Sequence, residues 1–258
     1  MRGHFHMNEG KYIYCIIEAK DKSEQFGSIG IGGRSDVVYT VCFNNIAAVV
    51  SNSPIKKYSV ARENLIPHEC AIEEVMKSYT VLPVRFATIA ENEDKVKKIL
   101  EKDHKRFIDL LKNMEGKKEL GLKAIFKEDV IYKDILEKYK EIKVLKEKIA
   151  TLPSEKTYFQ RAKIGEIVEA ALEKEKEIYR EDILETLSPL ALEVKTNNTY
   201  GERMIINAAF LVERHKEAVF DQRVQELGEK YGDKMKFKYV GTLPPFNFVN
   251  LTINVGEY

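Results

Sequence analysis

The stretch "KYIYCIIEA" (11–19) is apolar on both alternating faces, which predicts a strand buried on each side. Two β-rich runs follow in "DVVYTVCFNNIAAVVS" (36–51), parted by Asn44-Asn45. Asparagine tolerates positive φ, so the pair predicts a hairpin turn. "VARENLIPHECAIEEVMKS" (60–78) has helical period, with Pro67 either starting or kinking the helix. "TVLPVRFATI" (80–89) is extended, and Pro83 makes it an edge strand or a broken one. From Asn92 to Met114 the spacing is that of one amphipathic helix. Val96, Ile99, Leu100, Phe107, Ile108 and Leu111 line its apolar face.

The pattern changes near Gly116, which sets the expected boundary between an N-terminal α+β domain (1–115) and a C-terminal domain (116–258). "ELGLKAIFKE" (119–128) alternates and predicts a half-buried strand. Residues from about 129 to 187 are charged and helical, either a helical hairpin or one long bent helix. "TLPSEKTY" (151–158) interrupts them, with Thr151 or Ser154 as a cap. Repeated Glu and Lys there predict a solvated face with i,i+4 pairs. "ALEVKTNN" (191–198) reads as a strand, and the almost wholly apolar "MIINAAFLV" (204–212) as a central one. A helix over 213–232 should turn Ala218, Val219, Val224 and Leu227 inward and stop at Gly232. "KMKFKYV" (234–240) and "FVNLTINV" (248–255) both alternate as strands do. The second half thus spells β, helices, β, β, α, β, a ferredoxin-like order with an enlarged first crossover and an extra extended segment.

Totals narrow the function classes. The chain has 258 residues, long for one domain and comfortable for two, and 44% hydrophobic residues suffice for real cores. A formal charge of +1 gives no field that would steer the molecule to nucleic acid or an anionic membrane. "MIINAAFLV" has one aromatic and no basic residue, unlike an RNA-binding strand. No apolar run reaches the ~20 residues of a membrane helix. The opening "MRGHFHMNEG" lacks the apolar core of a signal peptide. Cys15, Cys42 and Cys70 have no close pairing, which suits free buried thiols in a reducing cytosol.

Candidate chemistry is sparse. "GSIGIGGR" (27–34) leads into a strand, whereas a phosphate loop opens a helix, so it reads as a flexible connection. His4, His6, His68, His104 and His215 show no zinc-type spacing. His68 and Cys70 are two apart on a helix and cannot share a face. No cofactor, metal or catalytic residue is expected. Arg85, in "LPVRF", is the most informative charge: an arginine among apolar strand residues either meets an anion or partner, or bonds carbonyls or a carboxylate such as Glu74. In "VGTLPPFNFVN" (240–250) the prolines predict a rigid corner between extended runs, with Phe246 and Phe248 packing on one side.

"GIGGRSDVVYTVCFNNIAAVVS", "HECAIEEVMKSYTVLPVRFATI", "INAAFLV" and "GTLPPFNFV" occur in an order that resembles the gas vesicle protein F/L (GvpF/GvpL) family over nearly the whole chain. The most specific pieces contain Leu82, Pro83, Arg85 and Phe86, and Pro244, Pro245, Phe246 and Phe248. The chain departs at Ala87, usually Gly in the family, and at Leu243, usually Trp.

The resemblance implies an α+β fold of two domains. The first is sandwich-like, a modified ferredoxin-like unit; the second is ferredoxin-like with the long helical hairpin inserted. It implies a non-enzymatic cytoplasmic, gas vesicle associated role as an assembly factor or minor structural protein. The implied partners are the small hydrophobic shell protein of the GvpA type and other gas vesicle accessory proteins, not nucleic acid or a lipid membrane. The eight motif residues are then the candidate partner contacts. The competing reading is a ferredoxin-like small-molecule-binding protein or enzyme, which the fold alone permits. A third is a coiled-coil scaffold acting through the hairpin.

Overall fold

The structure, a computed structural model, describes residues 8–19, 23–150, 152, 153 and 157–257. The chain divides into two compact units. One comprises the described residues up to Glu119 together with those from Thr242 onward; the other is Leu120–Gly241. The closing segment therefore groups with the first unit, although the expected boundary put it in the second. Val249, Leu251 and Ile253 are buried, and Asn247 is hydrogen-bonded to Glu119.

In the first unit, β1 (Glu9–Glu18) lies between β4 (Ile46–Pro54) and β5 (Val81–Pro83). The sheet runs β2-β3-β4-β1-β5, with β2 (Gln25–Gly27), β3 (Val38–Phe43), and β6 (Ile89–Ala90) also paired to β1. Tyr12 through Ile17 are wholly buried, as an apolar run on both faces requires. β3 and β4 form the expected hairpin, with Phe43 opposite Ile46 and Asn44 at φ 52. The extended run after α1 (Arg62–Met76) is broken: residues 84–88 leave the ladder between β5 and β6, and Ala87 stands at φ 63. Pro67 sits inside α1, whose inward stripe is His68, Ala71, Ile72 and Val75.

The single helix expected over 92–114 is two, α2 (Glu93–Lys102) and α3 (His104–Met114). Asp103 lies on the line of the apolar stripe, and the turn there keeps its carboxylate near the surface. The break is slight. Asp103 N–H still donates to Ile99 O (3.2 Å) and Phe107 N–H to Asp103 O (2.9 Å), so the stripe continues across it. The glycine-rich loop is pinned rather than a free connection. Ile31 is fully buried, its N–H donates to the Tyr14 hydroxyl (2.8 Å), and Arg34 pairs with Glu9 (2.8 Å).

The second unit begins within β7 (Lys117–Phe126), where Leu120, Leu122, Ala124 and Phe126 face the core. Three helices follow rather than two: α4 (Glu128–Lys138), α5 (Lys140–Ala150) and α6 (Tyr158–Leu187). Tyr139, at φ −101 and ψ 78, parts α4 from α5. The proposed caps Thr151 and Ser154 lie outside the described residues. Then come β8 (Glu193–Thr196), β9 (Met204–Glu213), α7 (Glu217–Tyr231) and β10 (Met235–Leu243). Their sheet runs β10-β7-β9-β8, which places the apolar β9 inside, as expected.

Three details differ from expectation. In α7 the inward stripe is Phe220, Val224 and Leu227, while Ala218 and Val219 are exposed. A 3-10 turn at Arg214–Lys216 resets the phase before the helix begins. Gly232 caps α7 in a right-handed conformation, so it is not the left-handed stop a glycine allows. Residues 248–255 keep alternating burial but form no strand: alternation reports one buried side, not a ladder partner. Overall this is a mixed α/β fold with seven α-helices and two sheets among the described residues.

Candidate partner-binding site

The two most specific sequence motifs meet inside the first unit. β1 presents Tyr12 and Tyr14, two residues apart and therefore on one face. α1 brings His68 to them: its ring centroid lies 5.7 Å from Tyr12 and 5.9 Å from Tyr14. The broken strand adds Phe86, 5.6 Å from His68 and edge-on. The closing segment adds Phe246, 6.0 Å from His68. The backbone ties the broken strand to the residues just after the closing motif, through Arg85 N–H to Leu251 O (3.4 Å).

His68 organises this junction. It is 2% exposed, with Nδ1 3.1 Å from the Tyr12 hydroxyl. That hydroxyl also accepts from Ala87 N–H (2.9 Å), and its own proton finds an acceptor in an unprotonated Nδ1. The ring hydrogen of neutral His68 is then on Nε2, which is buried without a hydrogen-bond partner. Burial lowers the His68 pKa to about 4, with the Val84 backbone offsetting part of this without reaching hydrogen-bond geometry. The ring is thus a neutral aromatic wedge at physiological pH. Burial likewise pushes the Tyr12 hydroxyl well above its usual range.

The closing segment folds back as a compact turn, not as the extended corner expected of two prolines. Pro245 O accepts from both Phe248 N–H (3.1 Å) and Val249 N–H (2.8 Å). Proline suits the start of such a turn, since its missing N–H has no partner to lose there. Asn247, at its centre, donates from its backbone N–H to Glu119 Oε2 (3.0 Å) and from its amide to Oε1 (2.6 Å). Glu119 is 2% exposed, so these charge-assisted bonds fix the turn to the start of β7.

The eight motif residues therefore divide. Leu82, Pro83, Pro244 and Pro245 are buried, and Phe86 and Phe248 are half-buried. Arg85 is exposed, and Phe246 keeps 40% of its surface accessible. Arg85 is not the carbonyl- or carboxylate-bonded arginine that one reading expected. Glu74 pairs with Lys77 (2.5 Å), and the Arg85 guanidinium meets no hydrogen-bonding or ionic partner among the described residues. Sequence reasoning missed Tyr12, His68, Glu119 and Asn247. Only His68 gave a signal, as a polar residue on the inward stripe of α1.

Elsewhere in this unit, Glu18, Glu24, Tyr79 and Glu115 line a cleft of about 820 Å3. Tyr79 donates to Glu24 (2.5 Å), and that bond raises its pKa to about 12. The thiols also split: Cys15 is buried, Cys42 half-buried and Cys70 exposed, so the last is not the buried thiol expected. Among the described residues no group of three or more His, Cys, Asp or Glu could hold a metal. His4 and His6 lie outside them. No described helix is long and apolar enough to cross a membrane.

Comparison with known proteins places this architecture. A Nostoc gas vesicle protein F is 26% identical over 251 residues, spanning 95% of this chain and 100% of that protein. A Streptomyces gas vesicle protein F is 28% identical over 240 residues, spanning 92% of this chain and 98% of that protein. The crystal structure of GvpF from Anabaena superposes with a TM-score of 0.78 at 25% identity, covering 95% of this chain and all of that one. The model of gas vesicle synthesis proteins GvpL/GvpF matches residues 10–250, from β1 to the turn on Glu119, and the chain therefore belongs to the GvpL/GvpF family.

Proposed function

We propose that this protein is a cytoplasmic, non-enzymatic accessory or minor structural protein of gas vesicle formation. It binds the small hydrophobic shell protein of the GvpA type and limits its aggregation during nucleation and assembly. The observation that carries the reading is the junction: the two family motifs meet there and leave Arg85 and Phe246 at the surface, both without a full set of partners. Arginine and large aromatics are the side chains that anchor protein interfaces most strongly. A shell protein that faces gas must present a very apolar surface, and its free monomers need that surface covered. An aromatic anchor on a rigid support fits the task, since a pre-ordered site loses little entropy on binding.

In the second unit, the strand order fourth-first-third-second around two crossovers supports the ferredoxin-like reading, with α4–α6 as the enlarged insertion. That insertion is the surface for other accessory proteins. The test is heterologous expression of a gas vesicle gene set with and without this gene. Vesicles should fail to form without it, and the wild-type gene should restore them. Normal vesicles in its absence would overturn the reading.

A further inference from the structure

In the second unit, α4, α5 and α6 leave an open groove of about 330 Å3 between them. Its floor is aliphatic, with Leu136 of α4, Ile149 of α5, and Ile164 and Val168 of α6. Its charged lining consists of two cations, Lys146 and Arg161. Lys146 sits one turn before Ile149, and Arg161 one turn before Ile164, so each cation shares its helix face with the apolar floor. Arg161 is held by its Nε donating to Thr157 Oγ1 (3.0 Å), and its terminal nitrogens have no partner among the described residues. Lys146 has no ionic partner among the described residues. Among the described residues no carboxylate lines the groove, so its charge is of one sign. Apolar surface continues beyond the groove. Tyr158 and Phe159, at the start of α6, are 71% and 82% exposed. Their rings lie 5.6 Å apart.

We propose that this groove takes an amphipathic α-helix of a partner protein whose apolar stripe is bordered by an Asp or Glu. Apolar side chains at i and i+3 or i+4 fill the groove, and the carboxylate meets Lys146 and Arg161. Two observations select this occupant. The groove is open along the helices and so suits a side-chain row rather than an enclosed small molecule, which a site normally surrounds. The two cations make a carboxylate favourable and a Lys or Arg costly at the same place. The inference rests on the groove alone and not on the role proposed for the junction of the first unit.

The probe is a fluorescein-labelled helical peptide of about 18 residues, five turns, with a leucine stripe and one flanking Glu. Its counterpart carries Lys in place of that Glu. Each is titrated with the full chain and followed by anisotropy. The Glu peptide should bind about ten-fold tighter than the Lys peptide, the scale of one good charge pair. The surface double variant Lys146→Glu/Arg161→Glu, with unchanged circular dichroism, should invert that preference. Val168→Asp should weaken both peptides. Failure of both peptides to bind, equal affinities, or a preference that survives the charge reversal would overturn the proposal. So would concentration-dependent self-association abolished by Val168→Asp, since a second copy of the chain would then be the occupant.

Discussion

The junction around His68 and the helices α4–α6 are held together by different physics. At the junction, segments far apart in the chain meet in buried, directional contacts: Tyr12 on His68, Ala87 on Tyr12, Asn247 on Glu119. Along α4–α6 the apolar stripe does most of the packing, with the buried Glu175 accepting from Lys138 (2.5 Å) and Tyr139 (3.1 Å), and the surface carries exposed pairs such as Lys133–Glu137 (4.0 Å). Buried polar groups cost free energy when left without partners, whereas exposed ion pairs are screened and worth little. The junction should therefore answer sharply to single substitutions and to pH, and the exposed pairs on α4–α6 hardly at all.

The largest effect should come from the motif core. Leu82 is wholly buried, so Leu82→Ala should lower the unfolding free energy by about 2–5 kcal/mol in a urea titration. A loss below about 1 kcal/mol would mean that the motif is not the packed support described here. The pH response comes next. The His68 pKa is about 4 in the fold against an ordinary value of 6.5, so between these values the unfolded chain binds more protons. Its contribution is complete above about pH 6.5 and is lost as pH falls toward 4, about 3 kcal/mol in all. His68→Gln should flatten that part of the stability–pH curve, and an unchanged slope would contradict a buried neutral imidazole.

A smaller effect tests the backbone of the broken strand. Ala87 stands at φ 63, a region strained for an L side chain. Ala87→Gly should relieve the strain and stabilise by up to about 1 kcal/mol, because the added freedom of the unfolded chain offsets part of the gain. A loss of stability would show that the conformation is not strained. The smallest change belongs to the other region: Lys133→Ala on α4 should shift stability by less than about 0.5 kcal/mol and respond to salt.

The same contrast explains what could be read from the sequence. Elements with a local signature were legible: the apolar run of β1, the Asn44 turn, the alternation of β7 and the apolar β9. Each depends on neighbours within a few residues. The junction was not legible, because Tyr12, His68, Glu119 and Asn247 meet only through the tertiary fold. Val219 was placed inward instead of Phe220 because the 3-10 turn before α7 has a different period from the helix after it. The segment after β10 alternates like a strand because one side of it is buried, yet it pairs with no ladder. Its closing motif marked the family correctly and hid its own geometry, since two prolines fit an extended corner and the first turn of a helix equally well.

The central claim is that Arg85 and Phe246 are offered to the shell protein. Shell protein held in urea is diluted into buffer containing an equimolar amount of this protein, and light scattering is followed. The wild-type chain should suppress scattering, and Phe246→Ser/Arg85→Glu, with an unchanged unfolding midpoint, should need about ten-fold more protein to do the same, the scale of one lost anchor. Equal suppression by the double variant would contradict the claim.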